Sequence, residues 1–392
     1  MRISGLLRAA LTGAWLAGAA AGAHAQTPAP RWPNGPPASP DYFPIGVWLQ
    51  NTAYAARYKA LGINLYVGLW AGPTKAQLAA LKAAGLQAIA PQNAVGLADT
   101  SGTIVAWMQD DEPDNAQPDG KGGFSDPTPP AAIVEKYHRM KAVDPTRPVW
   151  INFGRGVAWD GWYGRKSRTN RPEDYADYLK GADIASFDIY PGASSQAAIR
   201  DQFWRVPYGV ARLKEWAKPG TPVWAFIETG GISGPAATPE QVRAQTWAAI
   251  VAGATGVTYF VHQFKPSFSD RRLLSDPAMM DSIKATNALI ARLAPVLNAP
   301  TIAGRTRVVS SDAKAPIATM RKEKDGAIYL FAVNIREFAT EATFDVEGAP
   351  ARASIESMDG DRALSLTGGR FSDSFPPFGV RIYKIAAHVA RP

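Results

Sequence analysis

Strand-like runs alternate with helical stretches over about 250 residues of this chain, and this alternation limits the folds that it can adopt. Eight apolar runs rich in Ile, Val, Phe and Trp predict strands, at 44–49, 64–69, 86–90, 104–109, 149–153, 184–189, 223–227 and 257–261. The intervening stretches predict helices, which include 53–61, 74–84, 131–143, 172–180, 238–252 and 277–293. Residues 91–103 predict only a loop or a single turn. Eight such units are typical of a (β/α)8 TIM barrel, which we expect over residues 42–297.

A doubly wound α/β sheet is the alternative to a barrel. Such sheets carry a glycine fingerprint after the first strand, where the backbone approaches a dinucleotide. Here the first strand is followed by Gln50, Asn51 and Thr52, so the fingerprint is absent and the barrel is favoured.

The pattern changes after the barrel, and residues 298–392 predict a small antiparallel β-sandwich. Short runs with two-residue alternation occur at 307–310, 317–321, 328–334, 341–346, 353–356 and 379–385. Turn residues separate them, as in Lys324-Asp325-Gly326.

The first 25 residues predict a cleavable signal peptide. Arg2 and Arg8 precede a short apolar stretch, and Ala23-His24-Ala25 matches an A-x-A cleavage site that would leave Gln26 as the mature start. The stretch is shorter than the roughly 20 residues that a membrane-spanning helix needs. We therefore expect a secreted or periplasmic protein without a membrane span, and a Pro-rich linker over residues 26–41.

Composition excludes several kinds of chemistry. The chain has no Cys and only four His, which rules out thiolate chemistry and leaves a multi-histidine metal site poorly supplied. We predict neither a metal nor another cofactor. The formal net charge is +8, but no dense Lys/Arg stripe of the kind that binds nucleic acid is present, so no nucleic-acid partner is expected.

Alternation along each barrel strand predicts which side chains face the axis. The predicted axis-facing residues are Trp48, Gln50, Tyr66, Trp70, Trp150, Asn152, Asp188, Tyr190 and Glu228. In the fourth strand Met108, Asp110 and Glu112 share one face, and the side taken by Asp111 stays open. In the eighth strand either Thr258, Phe260 and His262 or Tyr259, Val261 and Gln263 point inward.

Two acids stand at strand ends where barrel enzymes place their active sites. Glu112 follows the fourth strand and Glu228 follows the seventh. A buried charge without a partner is costly, so each needs an ion pair or a function. Glycoside hydrolysis needs one carboxylic acid to protonate the leaving oxygen and a second carboxylate to attack the sugar or to activate water.

These residues resemble the clan A (4/7) superfamily of retaining glycoside hydrolases. Glu112 lies in Trp107-Met108-Gln109-Asp110-Asp111-Glu112-Pro113, and Glu228 ends the run Val223-Trp224-Ala225-Phe226-Ile227-Glu228. The resemblance implies that Glu112 is the acid/base and Glu228 the nucleophile of a retaining reaction. It also implies that Tyr190, in Asp188-Ile189-Tyr190-Pro191, hydrogen-bonds the nucleophile, and that the substrate is a poly- or oligosaccharide.

One residue departs from the pattern of that superfamily. Asp111 stands where the clan has an Asn that donates to a sugar hydroxyl, and an ionised Asp only accepts. Asp111 either accepts from a sugar hydroxyl or raises the pKa of Glu112 by like-charge repulsion. Asp110 or Asp111 is the alternative proton donor.

The aromatic residues of the barrel suit sugar binding or core packing. Trp48, Trp70, Trp159 and Trp162 are candidate stacking residues, and Asn152, Asp188, Tyr190 and His262 are candidate polar contacts. Two rival functions share this scaffold. One is a non-catalytic carbohydrate-binding protein. The other is a phosphate-binding barrel enzyme, for which Gly230-Gly231-Ile232-Ser233-Gly234 would form the cradle.

Overall fold

A computed structural model describes residues 31–386, which form a closed (β/α)8 barrel followed by an antiparallel β domain. The barrel strands are β1 (Ile45–Trp48), β2 (Leu65–Val67), β3 (Gln87–Pro91), β4 (Ile104–Asp111), β5 (Val149–Phe153), β6 (Ile184–Phe187), β7 (Val223–Glu228) and β8 (Val257–Phe260). Neighbouring strands are parallel, and β8 pairs with β1 to close the ring. The predicted TIM barrel is therefore confirmed. The predicted signal peptide lies outside the described residues.

Helices follow the strands around the outside of the barrel. They are α1 (Ala55–Ala60), α2 (Lys75–Ala83), α3 (Ala94–Leu97), α4 (Pro130–Val143), α5 (Asp174–Tyr178), α6 (Arg205–Trp216), α7 (Pro239–Val251) and α8 (Pro277–Leu297). Thr74 and Thr238 cap α2 and α7 with their hydroxyl groups. The sequence did not predict α6, because Pro207 and Gly209 interrupt its pattern. Within residues 31–386 no helix is both long and apolar enough to cross a bilayer.

The barrel axis is filled by large side chains. Trp48 packs against Trp150 and Phe226, with ring centroids 6.3 and 5.4 Å apart respectively. Phe260 packs against this inner cluster, whereas Tyr259 belongs to the layer between barrel and helices. The first alternative for the eighth strand is therefore confirmed.

The predicted facing of β2 is wrong. Leu65 and Val67 fill the axis, and Tyr66 points outward, where its ring meets that of Tyr58 at 6.1 Å. The outward position leaves the narrow axis to smaller side chains and lets the Tyr66 hydroxyl donate to the carbonyl of Asn51 at 3.4 Å. Trp70 lies beyond the strand and is 75% exposed, so it does not face the axis either.

The segment before β1 lies against the amino-terminal end of the barrel. Trp32 packs on the inner cluster, and the Arg31 guanidinium donates to the carbonyl of Gly220 at 2.8 Å. Asn34 donates through its backbone to the carbonyl of Thr146 at 3.1 Å. These contacts hold the described part of the Pro-rich segment on the barrel.

The β domain after the barrel is one antiparallel sheet that folds over on itself. Its strands are β9 (Thr306–Ser310), β10 (Ile317–Lys324), β11 (Ala327–Asn334), β12 (Thr340–Val346), β13 (Arg352–Ser357), β14 (Leu364–Thr367), β15 (Arg370–Phe375) and β16 (Val380–Ala386). They are ordered β10-β11-β16-β13-β14-β15-β12-β9. Phe344 of β12 contacts Tyr383 of β16 at 5.4 Å although these strands are not neighbours, so the two halves pack face to face. Trp247 of α7 stacks on Phe331 of β11 at 5.9 Å and joins the domain to the barrel.

Candidate active site

The predicted polar residues lie at the carboxyl ends of the barrel strands, but they form two separate groups. Asp111 ends β4, Glu112 follows it, and Asp188 follows β6. These three acids lie at the mouth of the barrel. Glu228 ends β7 and lies apart from them, in a buried setting of its own.

The backbone at the end of β4 aims Asp111 into the mouth. The register with β5 shifts between Met108 and Asp111, which breaks the alternation of the strand. Asp110 turns outward and pairs with Lys136 of α4, whereas Asp111 accepts a hydrogen bond from the Asn152 side chain at 3.0 Å. Asp110 is thereby removed from the candidate proton donors at the mouth.

Glu112 adopts a left-handed backbone conformation, with φ at 46°. Such a φ is uncommon outside glycine and marks a position that its surroundings hold in place. The amide of Glu112 donates to the Asn152 carbonyl at 2.9 Å, so β5 fixes this turn. This turn lets the side chains of both Asp111 and Glu112 lie at the mouth. In an ideal strand, consecutive side chains would point to opposite faces.

The carboxyl groups of Glu112 and Asp188 are close enough that each acts on the pKa of the other. Burial raises the pKa of Glu112 well above its ordinary value, and the negative charge of Asp188 raises it further. Burial also raises the pKa of Asp188, to about 6, although its interaction with Glu112 acts in the opposite direction. Glu112 therefore holds a proton to higher pH than Asp188, which carries the negative charge.

Tyr190 serves this carboxyl pair rather than Glu228. Its hydroxyl donates to Oδ2 of Asp188 at 3.0 Å, because Asp188 and Tyr190 lie two residues apart on the same side of the chain. The implied hydrogen bond from Tyr190 to a nucleophilic Glu228 is therefore wrong.

Asn115 fixes the other side of Glu112. Its amide nitrogen donates to Oε2 of Glu112 at 2.8 Å, and its amide oxygen accepts from the Trp162 indole at 2.7 Å. The Trp162 bond sets the direction of the Asn115 amide, so that nitrogen and not oxygen faces the acid. The hydrogen bond from Asn115 lowers the pKa of Glu112 and opposes the effects of burial and of Asp188.

The buried side chain of Asp114 fixes the segment that follows β4. It is completely buried and accepts from the Gly154 amide at 2.8 Å and the Tyr175 hydroxyl at 2.7 Å. The Arg165 side chain is buried beside it and pairs with Asp174 at 2.7 Å. This network ties the β4 end to the loop before α5. Sequence reasoning missed Asp114 and Asn115, and the only available signal was their place directly after Glu112-Pro113.

Glu228 is completely buried beneath the loop that follows β6. Its two carboxylate oxygens accept from the backbone amides of Gly192 at 2.8 Å and Ala193 at 2.6 Å. Burial raises the pKa of Glu228 to about 7, and the two amide hydrogen bonds oppose this effect. Through these two hydrogen bonds the Glu228 side chain holds the β6–α6 loop.

The candidate stacking residues have different environments. Trp48 is only 8% exposed and belongs to the inner core, whereas Trp70 stands out into solvent. Trp159 and Trp162 are half-buried, with ring centroids 5.6 Å apart, beside Asn115. His262 is buried, its ring 5.1 Å from that of Phe260, and its Nε2 has no partner among the described residues.

The glycine run after β7 has a packing role. A Cβ on Gly230 would come within 2.5 Å of the His262 carbonyl oxygen, so only glycine permits this close approach of two loops. The Gly231 carbonyl accepts from the Phe264 amide at 2.8 Å, and the amides of Ser233 and Gly234 donate to the Ala193 carbonyl. Because these donors are occupied, the arrangement favours loop packing over a phosphate cradle.

Comparison with known proteins shows the fold. No family model matches the chain, and no curated protein matches it in sequence. Among solved structures, a putative alpha-galactosidase/melibiase from Bacteroides fragilis has a TM-score of 0.55 at 11% identity, over 88% of this chain and 79% of that one. An alpha-amylase from Geobacillus thermoleovorans, complexed with acarbose, has a TM-score of 0.53 at 12% identity, over 88% of this chain and 98% of that one.

A third solved structure is a bifunctional glucanase-xylanase from a metagenome library. Its TM-score is 0.50 at 14% identity, over 88% of this chain and 96% of that one. At these identities the likeness concerns the fold. The chain therefore has the TIM-barrel fold with a C-terminal antiparallel β domain that occurs in glycoside hydrolases.

Proposed function

We propose that the protein hydrolyses glycosidic bonds in a poly- or oligosaccharide and that Glu112 is the proton donor. The observation that carries the proposal is the neighbouring pair of acids at the mouth, Glu112 held by Asn115 and Asp188 held by Tyr190. Hydrolysis of a glycoside needs a carboxylic acid that stays protonated near neutral pH. The raised pKa of Glu112 supplies such an acid where barrel enzymes bind their substrates.

The neighbours of Glu112 have separate tasks. Asp188 stabilises the protonated form through its negative charge, and Asn115 orients the carboxyl group through Oε2. Glu112 then protonates the leaving oxygen as the bond to the anomeric carbon breaks. Asp188 and Asn115 act through Glu112 and are positioning residues.

The second carboxylate in this proposal is Asp111. One of its oxygens accepts from Asn152, and its side chain is exposed at the mouth. Glu228 is fully buried and each of its oxygens accepts from a backbone amide, whereas Asp188 accepts from Tyr190 and acts on the pKa of Glu112. Asp111 is therefore the best-placed acid to attack the anomeric carbon or to activate water. Glu228 is the alternative nucleophile, and paired substitutions of Asp111 and Glu228 distinguish the two.

Fold comparison and composition support a carbohydrate substrate. The similar amylase was solved with acarbose, and other similar structures are named as glycosidases. Exposed aromatic rings at the mouth suit the C–H faces of sugars. The predicted signal peptide supports action outside the cytoplasm. We propose no cofactor, since the acids alone supply the chemistry.

The proposal is tested by sugar release from a panel of soluble starch, xylan, galactomannan, β-glucan and aryl glycosides. The wild type should release reducing sugar from at least one member, and Glu112→Gln should lose this activity at unchanged fold. Activity that persists undiminished in Glu112→Gln would exclude Glu112 as the donor. Binding without turnover by the wild type would instead support the non-catalytic carbohydrate-binding protein.

Proton NMR of the first-formed product decides the stereochemistry. The resemblance to clan A implies retention, so the product should first appear with the anomeric configuration of the substrate. An inverted first product would contradict the double displacement and assign Asp111 the activation of water.

A further inference from the structure

Two aromatic clusters flank the carboxyl pair on different sides of the barrel mouth. The tryptophan cluster consists of Trp159, Trp162 and Tyr163 in the loop after β5. The phenylalanine cluster consists of Phe260, Phe264 and Phe268 at and after the end of β8. Strands β5 and β8 are three positions apart in a ring of eight, so the clusters lie across the mouth from each other.

Each cluster is connected to the carboxyl pair by direct contacts. Trp162 bonds Asn115, which bonds Glu112. On the other side Asp188 accepts from Tyr190, whose ring is 4.9 Å from that of Phe260. The acids therefore lie between two aromatic surfaces rather than at the end of one.

The phenylalanine cluster leaves large apolar surfaces in water. Phe264 and Phe268 are 45% and 66% exposed, and their ring centroids are 5.6 Å apart. Phe264 stacks on Phe260 with an interplanar angle of 19°, so the cluster runs continuously from the barrel axis to the surface. A contiguous exposed apolar patch beside a site indicates a surface that binds a partner.

The loop that carries these rings is held in one conformation. Gln263 and Ser269 exchange two backbone hydrogen bonds of 2.8 and 2.9 Å, which make residues 263–269 a hairpin. The Phe264 amide also donates to the Gly231 carbonyl, and the Gln263 side chain accepts from Arg272 at 3.0 Å. The exposed rings therefore stand on a preorganised frame, which lowers the entropic cost of binding.

We propose that the phenylalanine cluster binds sugar units of a neutral polysaccharide whose chain crosses the mouth to the tryptophan cluster. This inference rests on the proposed function for its choice of a carbohydrate. Flat phenyl rings bind the C–H faces of sugars and carry no charge that would select an ionic group. With rings on both sides of the acids, the scissile bond lies inside the chain, and cleavage is of the endo type.

Affinity electrophoresis tests the cluster independently of turnover. Wild type, Phe264→Ala, Phe268→Ala and the double variant are run in native gels that contain soluble starch, xylan, galactomannan or β-glucan. Phe338→Ala is the matched control, because Phe338 is 43% exposed but lies in the β domain. At least one polymer should retard the wild type and the control, and the double variant should bind it at least tenfold more weakly. Circular dichroism confirms the fold of each variant.

The outcomes separate this inference from the proposed function. Equal retardation of the double variant and wild type, or no retardation of the wild type by any polymer, overturns the cluster as a polysaccharide site. Retardation of the wild type without sugar release would support the phenylalanine cluster as a binding site and contradict the proposed hydrolysis. Sugar release as monosaccharide only, from the chain end, would overturn endo cleavage, whereas a rapid fall in polymer viscosity supports it.

Discussion

Glu112 and Asp188 come from the ends of β4 and β6, and at the barrel mouth their carboxyl groups are close enough to act on each other's pKa. Two carboxyl groups in contact cannot both ionise at low cost, so one proton stays between them over a wide pH range. Asn115 touches the same acid from the other side and acts on its pKa in the opposite sense to Asp188. Asp188 and Asn115 therefore set the pKa of Glu112 in opposite directions.

Removal of the acid at Glu112 should abolish most of the activity. Positioned general acids contribute roughly 10²- to 10⁴-fold to rate, so Glu112→Gln should lower kcat by about that factor on substrates with poor leaving groups. An aryl glycoside with an acidic leaving group needs less protonation and should lose less. The comparison of kcat on the two substrate types checks this, and an equal loss on both would argue against a proton-donor role.

Asp111 and Glu228 are distinguished by paired substitutions. If Asp111 is the second carboxylate, Asp111→Asn should lower kcat at least about a hundredfold, while Glu228→Gln should stay within about tenfold of wild type. The physical reason is that Glu228 is buried and held by the amides of Gly192 and Ala193. The reverse result would support Glu228 as the nucleophile, and azide rescue of the inactive variant would identify which carboxylate attacks.

The pH profile should move in opposite directions for two neighbours of Glu112. Asp188 raises the pKa of Glu112, so Asp188→Asn should lower that pKa and shift the alkaline limb of kcat/KM down by about one pH unit. Asn115 lowers the same pKa, so Asn115→Ala should shift the limb upward. Asp110→Asn is the control, because Asp110 pairs with Lys136 on the outside of the barrel. Shifts in the same direction would contradict this assignment.

Glu228 should make the protein less stable as pH rises. Its pKa in the folded protein is about 7 against an ordinary value of 4.5, so the folded state binds the proton more tightly than the unfolded state. The free energy of unfolding should therefore fall between about pH 4.5 and pH 7, by roughly 3 kcal/mol from this group. Urea unfolding at pH 5 and pH 8 checks this, since Glu228→Gln should show a smaller fall than wild type. An equal fall in the free energy of unfolding of wild type and Glu228→Gln would show that Glu228 does not cause the pH dependence.

Asp114 should contribute to stability more than any exposed acid. Asp114→Ala leaves the buried Gly154 amide and Tyr175 hydroxyl without their acceptor, which should lower the free energy of unfolding by about 3 kcal/mol. Asp281→Ala, on the exposed face of α8, should change it by less than about 0.5 kcal/mol. Thermal and urea unfolding measure both. Similar values for the two variants would show that the buried network is not a stabilising one.

Most of the fold could be predicted because its causes are local. Continuous apolar runs at regular intervals indicate buried parallel strands, and the alternation with helices indicates a barrel. The end of β5 was predicted at Phe153, where the structure has it. Strands β14 and β15 were missed because residues 361–375 alternate mostly small and polar side chains with few apolar ones.

Within the site, the local pattern of residues predicted that acids stand at the carboxyl ends of barrel strands. The apolar runs located the carboxyl ends of β4, β5 and β6, and Glu112, Asn152 and Asp188 stand at or beside those ends. The excess of acids over His and Cys likewise depends only on composition.

The pairing of these groups depends on contacts between elements that are distant in the chain. The left-handed turn at Glu112 and the register shift before Asp111 break the two-residue period, and both depend on contacts with β5. Glu228 is withdrawn by amides of a loop that follows a different strand. Loop backbones beyond the last paired residue are positioned by neighbours far away in the chain, so a local pattern of residues does not encode the contacts that result.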